Sequence, residues 1–394
     1  MTRWEDLWRL DPDVTFLNHG SFGACPTEVL AEQARLRAEM EAEPVRFLSR
    51  ELEERLDPAR EKLAYFVGAD AEDVAFVSNA TSGVNAVVRS LQLSAGDELL
   101  TTNHSYNACR NALHFVAERA GARVVVAPVP FPLHSADEVV DAVLRHVTPR
   151  TRLALLDHVT SPTGLVFPIE RLVRELAARG IDTVVDGAHA PGMLPLDLRA
   201  LGAAYYTGNC HKWLCAPKGS GFLFVRRDRR EEIHPLTISH GANAVRPGRI
   251  RFWLEFDWTG THDPTAFLAV PKAIDYLASV VPGGWPALMR RNRELTLEAR
   301  RRLCETLGIA APCPDDMVGS LASVPLPDGP TTDIAWRQPD PIQRALYEGW
   351  GIEVPIHSWP APPKRLCRVS AQLYNSLPHY ARLADALGKL LAGQ

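Results

Sequence analysis

Lysine is scarce in this chain: six of its 43 basic residues are lysine and the rest are arginine, a bias read as genome composition. Basic excess is missing too. The formal net charge is −4 and the isoelectric point about 6.4, whereas nucleic-acid or membrane-surface partners call for a basic face. The seven cysteines (Cys25, Cys109, Cys210, Cys215, Cys304, Cys313, Cys367) are odd in number and include no Cys-x-x-Cys pair. Neither a structural zinc site nor a disulfide framework is therefore indicated, no metal is expected, and a reducing compartment fits. No run approaches the roughly 18 apolar residues of a membrane span. The stretch Met1–Val14 lacks the basic start and apolar run of a signal peptide. The expectation is a cytoplasmic protein with no nucleic-acid or membrane partner. Repeats and low-complexity segments are absent as well.

What is present reads as a globular chain of two domains. Hydrophobic residues make up 46% and charged residues 23% of 394, more chain than one core organises. Short β-branched runs at Val74–Val77, Glu98–Thr101, Val124–Val126, Leu153–Leu156, Thr183–Val185 and Phe222–Val225 predict strands. Amphipathic stretches at Gly83–Leu91, Cys109–Ala120, Ala136–His146 and Ile169–Ala178 alternate with them. That alternation predicts an α/β fold with a doubly wound, mostly parallel sheet, which binds ligands at the carboxyl ends of its strands. Beyond about residue 264 the pattern changes. Helices are predicted over Pro264–Ser279, Ala287–Leu307 and His379–Leu391, with short strands near Ser320–Val324 and Arg368–Ala371. The expected division is a large domain over 15–263 and a small α/β domain over 264–394, with 1–14 packed against the latter.

Three features carry chemistry. Val184-Val185 delivers Asp186 at a strand end, followed by Gly187-Ala188-His189. Lys212 lies in Asn209-Cys210-His211-Lys212-Trp213, between two predicted elements. A lysine that forms an imine must be desolvated and deprotonated, so it belongs in a cleft. Pyridoxal phosphate also needs a carboxylate against its ring nitrogen, and Asp186 has the type and position for it. Read alone, such an Asp could equally cap a helix or bind magnesium, and a lone Lys could be a surface charge. The third feature is Ser78-Asn79-Ala80-Thr81-Ser82-Gly83, a small polar loop between a strand and a helix. Its free N–H groups could hold an anion, or Thr81 or Ser82 could simply cap the helix. A nucleotide P-loop is excluded, because no Gly-Lys-Ser/Thr follows.

The assembled motifs resemble the class V aminotransferase group of fold-type I pyridoxal-phosphate enzymes. Within it, Phe16-Leu17-Asn18-His19-Gly20-Ser21-Phe22-Gly23, His158-Val159-Thr160-Ser161-Pro162-Thr163-Gly164 and Asn209 through Pro217 look like the isopenicillin-N-epimerase-like branch. The likeness spans about residues 14 to 390. It implies pyridoxal 5'-phosphate as cofactor, Lys212 as Schiff-base lysine and carrier of the Cα proton, and Asp186 as ring-nitrogen partner. His189 matches the residue bonded to the phenolic oxygen, and Ser161 fills a neighbouring slot. Thr81 and Ser82 match the phosphate cup, completed by Asn209 and Thr207. Thr261 resembles a residue that reaches the partner subunit's phosphate, which implies a homodimer with active sites at the interface. His104 aligns with the ring-stacking residue, with Tyr106 the alternative. Arg368 matches the arginine that grips the substrate's α-carboxylate. His357, Trp359, Asn18 and His19 look like substrate-pocket residues.

One departure from the family bears on the reaction. Cysteine desulfurases carry a nucleophilic Cys shortly before this arginine, and the stretch 351–360 has none. Persulfide transfer is therefore not expected. C–S β-elimination from an S-substituted cysteine is the first choice. Epimerisation, decarboxylating oxidative deamination and transamination stand behind it. A non-catalytic binding protein is the remote alternative, and retention of Lys212, Asp186 and Arg368 speaks against it.

Overall fold

The computed structural model describes residues 4–331 and 338–392. A two-residue strand β1 (Thr15–Phe16) opens the chain, and helices α1 (Thr27–Ala42) and α2 (Leu52–Val67) follow. Strands and helices then alternate: β2 (Val74–Val77), α3 (Ala80–Ser90), β3 (Glu98–Thr102), α4 (Asn107–Ala120), β4 (Arg123–Ala127), α5 (Ala136–Leu144), β5 (Thr151–Asp157), α6 (Ile169–Ala177) and β6 (Asp182–Gly187). Two further strands, β7 (Tyr205–Asn209) and β8 (Gly221–Val225), complete a seven-stranded sheet of order β2-β8-β7-β6-β5-β3-β4. Only the pairings of β8 are antiparallel.

Six of these strands lie where the β-branched runs predict them. Strand β7 lies outside that prediction, because Tyr-Tyr-Thr-Gly-Asn carries a glycine and no aliphatic run. Helices α1 and α2 lie outside it too. Successive strand residues serve two separate cores: Leu100, Leu156, Val185 and Tyr206 face one, and Leu99, Leu155, Val184 and Tyr205 the other. A sheet buried on both faces needs apolar residues at every position, which is why its strands read as continuous runs.

The C-terminal third contains α7 (Val270–Val280), α8 (Gly284–Leu307), β9 (Leu321–Leu326), α9 (Pro341–Trp350), β10 (Ile352–Glu353), β11 (Ile356–Ser358), β12 (Arg365–Ser370) and α10 (Leu377–Ala392). Strands β11, β12 and β9 form an antiparallel sheet, and β10 pairs with β1. The helix expected over Pro264–Ser279 is broken: a short turn of helix over Thr265–Leu268 precedes α7. Helix α8 begins at Gly284, with Pro286 accommodated in its first turn, where its missing N–H leaves no bond unmade. The opening residues meet this region. Arg291 lies 4.5 Å above the Trp4 ring, and the Trp8 and Tyr374 rings are 5.2 Å apart. Among the described residues, no single helix is long and apolar enough to cross a membrane.

Candidate active site

The carboxyl ends of β2, β5, β6 and β7 surround one cavity of about 560 Å3. Its lining includes Asn79, Thr81, Ser82, Tyr106, Asp157, Ser161, Asp186, His189, Asn209 and Lys212. Asp157 and Asp186 end neighbouring parallel strands and face each other in register.

One wall is the N-terminus of α3. Asn79 Oδ1 accepts from the Ser82 N–H at 2.9 Å and Asn209 Oδ1 from the Ala80 N–H at 2.8 Å. Among the described residues the Thr81 N–H has no partner. A free N–H at the positive end of a helix, beside the Thr81 and Ser82 hydroxyls, favours an anion. The helix comes this close to β7 because residue 83 is glycine. A Cβ there would stand 2.1 Å from Thr207 Oγ1.

Lys212 is buried, and its amine is drawn down to about 7, chiefly by desolvation and then by the Arg368 charge; Asp186 opposes the shift. Its Nζ lies 3.1 Å from His189 Nε2. The Trp213 indole N–H donates to His189 Nδ1 at 3.3 Å. Because that indole is only a donor, the neutral His189 ring carries its proton on Nε2, facing the cavity. Burial, with the Lys212 charge behind it, holds the ring well below the usual imidazole range. Asp186 Oδ1 accepts from the Ala188 N–H at 3.0 Å, and Oδ2 from the Cys109 thiol at 3.2 Å.

Arg368 is 2% exposed. Its guanidinium donates to Ser161 O at 2.6 Å, Ser161 Oγ at 3.2 Å and Ser21 Oγ at 2.9 Å. Among the described residues no carboxylate pairs with it, and its Nε has no partner. Burial lowers it only to about 10, so it stays charged. His357 Nε2 is likewise buried and unpartnered. A buried cation without an acid is costly to fold around and marks a place for an anionic ligand group.

The structure places some of the expected residues outside the lining of this chain's cavity. His104 does not reach the cavity. Its ring nitrogens are used by Thr163 Oγ1 at 2.7 Å and Val129 O at 3.1 Å, and Trp359 packs on its ring at 4.5 Å. Trp359 is therefore a packing residue as well. The half-exposed Tyr106 is the flat ring that lines the cavity. Thr207 donates to Phe222 O at 2.8 Å and supports α3 from beneath. Asn18 binds Glu353 and Ser21, and so reaches the cavity only through Ser21. His19 sits behind Lys212, with Nδ1 at 2.7 Å from the Tyr374 hydroxyl and Nε2 at 3.1 Å from Lys212 O. Thr261 is exposed and apart from the cavity. Sequence reasoning missed Asp157, Cys109 and Ser21. The rule that singled out Asp186, an acid closing an apolar strand, applies equally to Asp157.

One end of the cavity thus offers an amine and a carboxylate, the next an anion cradle, and behind Ser21 and Ser161 in its lining stands an arginine with no acid partner among the described residues. The set suits a cofactor with a reactive carbonyl, a basic ring nitrogen and a phosphate, joined to an amino acid. The aminotransferase class-V family model matches residues 22–376. The chain is 38% identical to isopenicillin N epimerase of Streptomyces clavuligerus, over 98% of each chain. It is 25% identical to an L-cysteine desulfhydrase of Arabidopsis thaliana, over 97% of this chain and 88% of the relative. The cystine C–S lyase C-DES, solved with its product cysteine persulfide, has a similar fold: TM-score 0.79 at 22% identity, over 96% of this chain and 98% of that one.

Proposed function

We propose, for a chain that belongs to the class V aminotransferase family and is a pyridoxal-phosphate enzyme acting at the α-carbon of an amino acid, that its reaction is C–S β-elimination from an S-substituted cysteine. Pyridoxal phosphate, when bound, draws electrons from the attached α-carbon and acidifies its proton. In this reading Lys212 would hold the cofactor through its carbonyl, and its amine would serve as the base for the substrate's Cα proton. Asp186 holds the proton on the ring nitrogen, and His189 Nε2–H donates to the phenolic oxygen. Thr81, Ser82, Asn79 and Asn209 hold the phosphate, Tyr106 covers the ring, and Ser161 positions Arg368. Arg368 grips the α-carboxylate in a planar fork, with His357 beside it.

Elimination is supported by the likeness to an L-cysteine desulfhydrase, and the Lys212 amine, drawn down to about 7, is a base fit to take a Cα proton. A single base poised near the working pH suffices to take a Cα proton while a thiolate leaves. Inversion needs a proton delivered to the opposite face, where burial raises the Tyr106 hydroxyl above its usual range. A poor acid there disfavours inversion. Epimerisation is the second reading, favoured by the 38% identity to an epimerase. Incubation with S-substituted cysteines and with D- and L-amino acids separates the two. Pyruvate, ammonia and free thiol support elimination. Racemised substrate carrying solvent deuterium at Cα, with no pyruvate, overturns it.

A homodimer is part of the same reading. Thr261 is exposed in the stretch that also exposes Ile238 and Val245, and a partner subunit would cover these. A monomer in sedimentation at micromolar concentration would remove this part. The division into 15–263 and 264–394, with 1–14 against the second unit, is kept as a proposal, supported by the Trp4 and Trp8 contacts. Seven buried, unpaired cysteines accord with a reducing, cytoplasmic setting.

A further inference from the structure

Asp157 has no part in the roles above, although it lines the same cavity as Asp186. The two residues are register partners at the ends of β5 and β6. Side chains paired in this way on parallel strands project to the same face, from strands about 5 Å apart. Both are nearly inaccessible, at 2% and 3% exposure. Their surroundings differ. Asp186 accepts from the Ala188 N–H and the Cys109 thiol. Asp157 Oδ2 is buried with no partner, as is the neighbouring Ser105 hydroxyl. Among the described residues neither carboxyl has an ion pair.

An ionised carboxylate accepts and cannot donate, so two of them at one buried spot, with no cation paired to either, cannot both stay charged. The geometry points to a one-proton pair: Asp157 is a neutral carboxylic acid that acts as a positioning residue, leaving Asp186 as the pair's only negative charge. The inference rests on the reading of Asp186 as the ring-nitrogen partner. The proton is assigned to Asp157 because its Oδ2 is buried with no hydrogen-bond partner, whereas both oxygens of Asp186 accept, from an amide and a thiol. The directions of titration agree. Burial, and then the Asp186 charge, push Asp157 well above the usual carboxylate range; the Ser105 hydroxyl and the Tyr106 amide oppose this from outside hydrogen-bond geometry. Burial also raises Asp186, but the Cys109 thiol, the Ala188 amide and the Lys212 charge oppose it.

Its consequence is for the cofactor. A doubly charged pair would bind the ring nitrogen's proton with two carboxylates and attract other cations into the cavity. A singly charged pair presents one acceptor, oriented by two fixed donors, and keeps a neutral hydroxyl alongside. Asp157→Asn exchanges one neutral group for another of the same shape and is then nearly silent, whereas Asp186→Asn removes the charge.

The test is made first on apoprotein. Infrared difference spectra of wild type minus D157N at neutral pH should show the carbonyl stretch of a protonated carboxylic acid. Fluorescence titration with pyridoxal 5'-phosphate should leave D157N within about threefold of wild-type affinity, and D186N weaker by about tenfold or more. Absence of the acid band, or a loss of affinity in D157N as large as in D186N, overturns the inference. Weakening in D157N with D186N unchanged instead overturns the earlier assignment, making Asp157 the ring partner. Should D157N not fold, carbon-13 NMR of aspartate-labelled wild type answers the same question. One buried carboxyl must keep its proton across the neutral range, and none doing so sinks the proposal.

Discussion

Two buried charge clusters in this protein are built from the same residue types and behave oppositely. Beneath α2, Arg60 is paired with Asp57 and Asp257, and Arg249 joins Asp57 and Glu53. Both guanidinium groups lie over the Trp253 ring, at 4.4 and 5.4 Å. In and just behind the cavity wall, Lys212, Asp186, Asp157 and Arg368 are as deeply buried, yet none of them has an ion pair among the described residues. Charges that have found their partners within the fold report on stability. Charges left without them are tolerated because a ligand completes the set, and they report on binding and chemistry.

The largest effect should come from the unpaired cluster. Lys212→Ala removes both the cofactor's covalent anchor and the base, so turnover should fall by about 10³-fold or more. The urea midpoint of the apoprotein should not fall with it. A variant that keeps wild-type turnover removes Lys212 from the chemistry.

Next comes the paired cluster. Arg60→Met leaves the buried Asp257 with only the longer Arg249 contact, at 3.8 Å, and should cost up to about 3–5 kcal/mol of stability. Arg368→Met removes an unpaired buried charge and should cost none, while abolishing substrate binding. Equal losses of stability in the two variants would erase the distinction. Arg368→Lys is milder. Loss of the bidentate fork should weaken substrate binding by about 1–3 kcal/mol with cofactor affinity unchanged.

The smallest signal is in the pH dependence of the apoprotein. Lys212 is held at about 7 in the fold, against 10.5 for an unperturbed amine. Between those values the unfolded chain binds the proton and the folded chain does not, so stability rises with pH across that window. The full cost is present below about 7 and is gone above 10.5. Relative to Lys212→Met, wild-type thermal midpoints should climb over this range. A flat difference would mean that the amine is not desolvated.

Much of the fold was legible in the chain, for a local reason. Five of the six predicted strands are buried throughout or nearly so and announce themselves as apolar runs, and the edge strand β4 does so through its consecutive valines despite being half-exposed. Strand β7, with two tyrosines and a glycine, does not. The polar residues at strand ends were legible for the same reason: Asp186 ends an apolar run, and Ser78-Asn79 follows one, although the helix begins at Ala80, so that Ala80–Gly83 form its first turn and not a loop. His104 and Tyr106 show where this stops. Two residues apart in one turn, both are flat, and only the packing of Trp359 and Thr163 sends the first inward and leaves the second on the cavity.

By itself, then, the sequence determined the order of strands and helices, the strand-end positions of the reactive groups, and the family pattern around Lys212, Asp186 and Arg368. Those depend on periodicity and on neighbours along the chain. Only the tertiary structure decided that Asp157 stands beside Asp186, that Arg368 meets Ser21 and Ser161 instead of an acid, and that His19 supports the lysine from behind. Each is a contact between distant segments. Strand register and side-chain rotation are set there by what the rest of the core leaves room for, and no local pattern encodes that.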